Sequence, residues 1–306
     1  MTRTQNLIHT VEKYGAHNYH PLPVVLARGE GSTVWDAEGK SYLDFLSCYS
    51  ALNFGHQHPK LVARLLDQVK KIALCSRAFH SEELCLFSQE LAEFVGLDQV
   101  LPMNSGAEAV ETALKIARKW GYEKRGIPGD ANIITFTNNF HGRTITIVSF
   151  SSEQAYRDGF GPFTPGFKEV PFDSIADLEN AIDSNTVGVL MEPIQAEAGI
   201  LIPQTGFLKA ARELCTRKNV LLIMDEIQTG LGRTGRDFCF QHEGATPDLL
   251  ILGKSLGGGL LPISAVVGRR EVMDVIGPGQ HGSTFGGNPL ASAVSRSALT
   301  LLKEEK

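Results

Sequence analysis

Cysteine is scarce and scattered in this chain of 306 residues: Cys48, Cys75, Cys85, Cys215 and Cys239 are odd in number and form no C-x-x-C pair. That excludes a disulfide framework and reads as five reduced thiols, with a cytosolic location expected. No stretch approaches the roughly 18 apolar residues of a membrane span. The opening MTRTQNLIHTVEKYG lacks the apolar run of a signal peptide, and its Glu12 beside Arg3 and Lys13 argues against an import presequence. An excess of positive charge is missing too. Lys plus Arg number 29 against 34 Asp plus Glu, a net charge of -5, so neither nucleic acid nor an anionic membrane is expected as a partner. Repeats and low-complexity segments are absent, and the 31 glycines and 14 prolines are spread along the chain. With 42% hydrophobic residues, this is the composition of a soluble globular protein of one large domain plus part of a second.

What is there alternates. Val24 to Ala27, Thr33 to Asp36 and Ser41 to Phe45 are short strand-like runs, the last two joined by the turn-rich Ala37-Glu38-Gly39-Lys40, and they suggest a small meander. Beyond Pro59, helical faces such as Leu84, Phe87, Leu91, Phe94 and Val110, Ala113, Leu114, Ala117 alternate with unbroken apolar runs. Those runs, Ile133 to Phe136, Val187 to Met191, Val220 to Met224 and Leu249 to Leu252, fit strands buried on both faces of a parallel sheet. The fold class is α/β, mostly parallel with flanking helices, and ligands are expected where strands end. From Pro289 a last helical pattern runs to the end of the sequence.

Three glycine motifs compete for overlapping residues. Gly253-Lys254-Ser255-Leu256-Gly257 matches the nucleophile elbow of a serine hydrolase, with Asp274 and His281 following in triad order. Against it, Gly257, Gly258 and Gly259 occupy the place of the required helix, each at about 1 kcal/mol of lost propensity. The same residues resemble the end of a phosphate-binding P-loop, but Asp248 stands where the first glycine belongs. Gly230 to Gly235 forms a G-x-G-x-x-G that neither follows a strand directly nor opens a helix.

What remains is Lys254 on a glycine-rich loop after one buried strand and Asp225 at the end of another. Pyridoxal phosphate needs that pair, an amine for a Schiff base and a carboxylate that keeps the pyridine nitrogen protonated. On spacing alone a surface lysine and a strand-end acid fit as well. A third element joins them: Asn104-Ser105-Gly106-Ala107-Glu108 follows a strand-like run and opens a helix in capping-box spacing, which offers free N–H groups to an anion.

With these residues in place the chain resembles the class III aminotransferases of pyridoxal phosphate fold type I. The resemblance is carried by NSGAEAVETALKIAR (Asn104 to Arg118), NFHGRT (Asn139 to Thr144), EPIQAEAG (Glu192 to Gly199), DEIQTGLGRTG (Asp225 to Gly235), LGKSLGGGLLP (Leu252 to Pro262) and HGSTFGGNP (His281 to Pro289). GAHNYHPLP (Gly15 to Pro23) and SCYSALNFGHQHPK (Ser47 to Lys60) are most similar to the ornithine-specific branch.

The resemblance implies that Lys254 carries the cofactor and shuttles a proton, Asp225 pairs with the pyridine nitrogen, and Gln228 bonds the ring's phenolic oxygen. Phe140 and Ile227 would cover the two ring faces, and Gly106 and Ala107 would bind the phosphate. Thr284 would reach the phosphate of a neighbouring subunit, so a homodimer or higher homo-oligomer is implied. For the substrates, Tyr19 and Tyr49 would hold the α-amino and α-carboxylate end of L-ornithine. Arg143 would take a carboxylate of 2-oxoglutarate, with Glu197 pairing to Arg143 while ornithine is bound. The implied reaction moves the δ-amino group to 2-oxoglutarate, giving glutamate and glutamate 5-semialdehyde, which cyclises. Alternatives are an acetylornithine or 4-aminobutyrate aminotransferase, or a non-catalytic module that binds cofactor or dimerises.

His141 stands where the nearest ornithine enzymes are expected to have a bulky aromatic. Glu226 and the pair His56 and His58 read as structural. The resemblance also implies a division into residues 1–50 as part of a small domain, 51–288 as the large cofactor domain, and 289–306 as the start of a helix leading to a C-terminal lobe of about 100 residues that this sequence lacks. A substrate-binding arginine of relatives is expected to lie in that lobe.

Overall fold

The computed structural model describes residues 1–305. A helix α1 (Arg3–Tyr14) with a Thr2–Gln5 capping box precedes a three-stranded antiparallel meander, β1 (Leu26–Glu30), β2 (Thr33–Asp36) and β3 (Ser41–Leu43). The first strand begins two residues later than its apolar run, because pairing to β2 starts at Leu26. The meander is tied to the rest of the chain by a bridge between Gly31 and His56, whose ring meets the Asp44 carboxylate at 2.8 Å. His56 therefore has a structural partner, as its sequence setting suggested.

The main body alternates helices α2 (Pro59–Val69), α3 (Glu82–Val95), α4 (Gly106–Trp120), α5 (Ile175–Ala181), α6 (Phe207–Lys218) and α7 (Pro289–Glu304) with strands β4 (Gln99–Met103), β5 (Asn132–Phe136), β6 (Phe167–Val170), β7 (Thr186–Met191), β8 (Leu221–Asp225), β9 (Leu249–Leu252) and β10 (Ser264–Gly268). They form one seven-stranded sheet in the order β4-β10-β9-β8-β7-β5-β6. The strands β6, β5, β7, β8 and β9 are parallel, and β10 runs antiparallel to both β9 and β4. The reversal follows from chain length: only the stretch after Leu252 separates β9 from β10, too little for the helical crossover that a parallel neighbour needs.

Alternation along the central strands feeds two cores. Leu222, Met224, Leu250 and Leu252 face α3, α6 and α7, whereas Leu221, Ile223, Leu249 and Ile251 face α4. This is why these strands read as continuous apolar runs. Burial pushes the thiols of Cys215 and Cys239 up to about 12, so both behave as packed, unreactive side chains.

On the α3 side, α2, α3 and α7 are cross-linked by charge. Arg296 of α7 donates from Nε and Nη2 to Glu90 at 3.0 and 2.7 Å and from Nη1 to Glu83 at 2.8 Å, and Arg64 of α2 reaches Glu83 at 2.5 Å. Burial works against the Glu83 carboxylate, but the two guanidiniums outweigh it and hold its pKa below the ordinary value. Charge-assisted bonds of this kind contribute about 1.5–3 kcal/mol. Arg296→Met should therefore lower stability by about 2 kcal/mol at pH 7. Because the Glu83 pKa is depressed on folding, that difference is present above the ordinary glutamate range and shrinks as pH falls through the folded value. Urea midpoints of the two proteins at pH 7 and pH 3.5 measure it, and a difference that persists undiminished at pH 3.5 would assign the effect to packing instead of charge.

Candidate active site

The parallel strands deliver their loops to one edge of the sheet, and the residues singled out from the sequence meet there. Asp225 is the last residue of β8 and only 4% exposed. Its Oδ2 lies 2.7 Å from Nδ1 of His141, and its Oδ1 accepts the backbone N–H of Ile227 at 3.1 Å. Burial opposes charge on His141, but the hydrogen bond and negative charge of Asp225, with Glu192 behind it, outweigh that penalty and raise its pKa. The opposite ring nitrogen, Nε2, is buried without a partner.

His141 is presented by the Asn139–Thr144 loop. Buried Asn139 donates to the carbonyls of Phe136 and Phe150 at 2.7 and 2.9 Å, and the N–H of Phe140 donates to Glu192 Oε2 at 3.0 Å. Glu192 follows β7 and is almost fully buried; desolvation pushes its pKa up to about 7. Beside Asp225, Glu226 turns to the other side and accepts the N–H groups of Cys239 and Phe240 at 2.7 Å each. That is a structural anchor.

Lys254 follows β9, the neighbour of β8, and has a left-handed φ of 43°. Its amine makes no hydrogen bond or ion pair among the described residues. Desolvation lowers its pKa, against the opposing charges of Asp225, Glu197 and Glu192, which brings the amine nearer to its neutral, nucleophilic form. The next residue, Ser255, is 2% exposed and donates to the carbonyl of Ser50 at 2.7 Å.

The rival motifs dissolve in the same geometry. Asp274 accepts from Gln99 at 2.8 Å and His281 bonds Thr112 and Lys115, so neither serves Ser255 as a triad partner. Asp248 lies at the opposite end of β9 from Lys254, accepting the N–H of Leu222 and pairing with Arg212 and Arg269. Gly230 to Gly235 is a turn that leads to a short 3₁₀ segment, Cys239–His242, with no helix for a dinucleotide.

An anion site stands beside this cluster. Ser105 and Glu108 form the capping box of α4, and Asn104 donates to both Glu108 and Ser283, at 3.1 and 2.7 Å. The N–H groups of Gly106 and Ala107 find no acceptor among the described residues. A Cβ on Gly106 would meet Ile227 Cδ1 at 2.8 Å, so only a glycine lets Ile227 pack directly against the helix start. Thr284, next to the tethered Ser283, is exposed and has no hydrogen-bond partner among the described residues.

The remaining residues divide into two groups. Arg143 lines a cavity of about 560 Å³ with Tyr19 and Tyr156. Tyr49 does not line that cavity; it sits on the stretch Ser47 to Ser50, whose four residues all have positive φ, and half of its surface is exposed. Arg143 and Glu197 have separate partners: Glu197 accepts from Gln228 at 2.9 Å, while Arg143 rests on aromatic rings. The pairing of these two charges expected while ornithine is bound is not formed here, where Gln228 is the partner of the glutamate. Glu192 and Tyr156 were not singled out from the sequence. Glu192 opens a quoted motif, but only the folded strand order reveals its burial beside His141; Tyr156 sits outside every motif, in a loop with no local signal.

The fit to pyridoxal phosphate can be tested on these observations. A ring needs a buried acid at one end, an anion site at the other, an accessible amine and apolar groups on its faces. Asp225, the free N–H groups of Gly106 and Ala107, Lys254, and Phe140 with Ile227 supply that set.

Comparison with known proteins agrees with this geometry. Residues 14–306 match the family model described as aminotransferase class-III. A curated ornithine aminotransferase of Brevibacillus brevis is 54% identical over 306 residues, which span 100% of this chain and 77% of that protein. A structure of ornithine aminotransferase from Toxoplasma gondii, described with partial occupancy of PLP at its active site, superposes with a TM-score of 0.98 at 51% identity, over 99% of this chain and 71% of the other. An acetylornithine aminotransferase from Elizabethkingia anophelis superposes with a TM-score of 0.89, also at 51% identity, over 100% of this chain and 74% of that one. The chain belongs to the class III aminotransferases, with the mixed α/β sheet of pyridoxal phosphate fold type I.

Proposed function

We propose that this chain is a pyridoxal-phosphate-dependent ornithine aminotransferase, transferring the δ-amino group of L-ornithine to 2-oxoglutarate. What carries the reading is the convergence of Lys254, Asp225 and the open start of α4 at one sheet edge, in a chain 54% identical to a curated ornithine aminotransferase. When bound, the cofactor supplies a carbonyl that condenses with amines and a protonated pyridine ring that withdraws electrons from the neighbouring carbon.

The chain's own groups do the rest. Asp225, oriented by His141 and the N–H of Ile227, would hold the ring nitrogen and favour its protonated form. Gly106 and Ala107 anchor the phosphate through the N–H groups of a helix start, and Thr284 completes the phosphate site of a second copy in a homodimer. Phe140 and Ile227 would pack on the two ring faces, Gln228 would bond the phenolic oxygen, and Lys254 Nζ, its pKa lowered by burial, would hold the cofactor and then serve as the amine that accepts and returns a proton.

Tyr19 and Tyr49 hold the α-end of ornithine, which leaves the δ-amine for the cofactor. In the second half-reaction Arg143 takes a carboxylate of 2-oxoglutarate. Glu197 contributes its charge at Lys254 and bonds Gln228, and in this reading it pairs with Arg143 while ornithine is bound. Residues 1–50 belong in this reading to a small domain, 51–288 to the cofactor domain, and 289–306 to a connecting helix. The site of action is the cytoplasm.

Two outcomes are expected. With pyridoxal phosphate added, the purified protein should show a yellow chromophore that borohydride fixes to the chain and that L-ornithine bleaches; Lys254→Ala should lose borohydride fixation and at least about a thousandfold in turnover. Bleaching by acetylornithine or 4-aminobutyrate but not by ornithine would overturn the substrate, and a chain that binds the cofactor without bleaching in either case would overturn catalysis.

The second concerns Glu192. Its folded pKa of about 7 lies above the ordinary 4.5, so the folded state binds more protons between those values and stability falls as pH rises through that window. Glu192→Gln retains an acceptor for the Phe140 N–H and removes the buried charge. Its stability should decline less than the parent's between pH 5 and pH 8, by on the order of 2 kcal/mol in denaturant titration; parallel curves for the two proteins would refute the assignment.

A further inference from the structure

The guanidinium of Arg143 has no carboxylate partner among the described residues. It is instead held by aromatic side chains from three places in the chain. The ring of Tyr156 lies 4.6 Å from its central carbon, Phe140 at 5.7 Å and Tyr19 at 5.8 Å. The hydroxyl of Tyr156 also accepts from Nη2 at 3.3 Å. Tyr156 thus combines the shortest of the three ring contacts with a hydrogen bond to the arginine.

The base under Tyr156 is firm. It ends the short turn Gln154–Tyr156, where the Glu153 carboxylate accepts the N–H of Ala155 at 3.2 Å and the Glu153 carbonyl accepts that of Tyr156 at 3.1 Å. The neighbouring Arg157 donates to the carbonyls of Ser149 and Ser151 at 2.7 and 3.2 Å and so fixes the loop to the segment after the short helix Ile145–Val148. Tyr156 is half-buried, and its ring meets Phe140 edge to face at 6.1 Å between centroids. Phe140 in turn is tied to Glu192, and its neighbour His141 to Asp225. The arginine is thereby registered to the catalytic cluster through two aromatic rings.

We propose that Tyr156 is a positioning residue for Arg143, which sets the guanidinium in place to receive a carboxylate of the dicarboxylic oxo acid. The proposal rests on Arg143 as the carboxylate partner. Its physical content is that an aromatic cradle holds a cation without neutralising it. A carboxylate partner would have to be displaced before an anionic substrate could bind. A phenol occupies one of five N–H donors and leaves the rest of the planar fork for a bidentate contact. Fixing the fork beforehand also removes the rotamer entropy that a free arginine loses on binding.

The test uses the whole chain loaded with pyridoxal phosphate and two readouts. One is calorimetric binding of glutarate, which carries both carboxylates and lacks the reacting carbonyl. The other is steady-state transamination with ornithine and 2-oxoglutarate. Tyr156→Leu should weaken glutarate binding and raise the KM for 2-oxoglutarate about tenfold while kcat changes less than about threefold. Tyr156→Phe, which keeps the ring, should show an effect of about two- to fourfold. Arg143→Leu should weaken glutarate binding more than either.

If Arg143→Leu weakens glutarate binding and Tyr156→Leu does not, the proposal fails and the arginine assignment stands. If Arg143→Leu has no effect, or glutarate does not bind the parent, both fall. A Tyr156→Leu protein that loses kcat and thermal stability together, with Tyr156→Phe no better, would mark the tyrosine as structural and overturn the proposal.

Discussion

The buried carboxylate of Asp225 is the constraint around which this structure is arranged. An ionised acid with 4% of its surface exposed is unfavourable by several kcal/mol unless it is paired and hydrogen-bonded. Here one oxygen meets His141 and the other an N–H of the chain's own turn. To supply the imidazole, the loop after β5 must cross to β8, and it is locked in that position by Asn139 and by Glu192 from β7. Strands β5, β7 and β8 are adjacent, so the strand order alone brings the three ends together. β9, next in line, delivers Lys254 into the same field.

That clustering explains why the site is electrostatically active and thermodynamically expensive at once. Glu192 and Glu226 both have pKa values pushed up to about 7 by burial, and Lys254 is lowered by it. In Glu226 the burden is carried by two backbone donors, and it holds the turn after β8 rigid. In Glu192 it raises the field on His141. The fold tolerates such groups because Leu222 to Met224 and Leu249 to Leu252 seal both faces of the sheet beneath them.

The elements with strong local signals were legible in the sequence. The apolar runs of β5, β7, β8 and β9 and the capping box of α4 appear at their expected positions, because burial on both faces and a capped helix start leave marks that do not depend on distant partners. Less legible were β6 and β10. β6 reads Phe167-Lys168-Glu169-Val170, an edge strand with too little apolar content to stand out, and the antiparallel setting of β10 depends on a short connection. In the site, chemistry-bearing residues inside motifs could be found. Glu192 as a buried acid and Tyr156 as an arginine's partner could not, since each acquires its meaning from residues dozens of positions away.

Part of the backbone strain lies in the same region. Outside glycine, left-handed residues cost on the order of 1 kcal/mol each and persist where the surroundings over-determine them. In this chain Lys254 and Leu231 adopt that conformation, and so does the whole stretch Ser47 to Ser50. Each is held from outside its own segment: Ser255 bonds the carbonyl of Ser50, and Asn53 donates to the carbonyl of Leu231 at 3.0 Å while its side-chain oxygen accepts from Arg233. The lysine turn, the glycine-rich turn after β8 and the stretch bearing Tyr49 therefore constrain one another. The strain is thus retained as geometry, since bonds from outside each turn hold the backbone that carries Lys254 beside the strand end of Asp225.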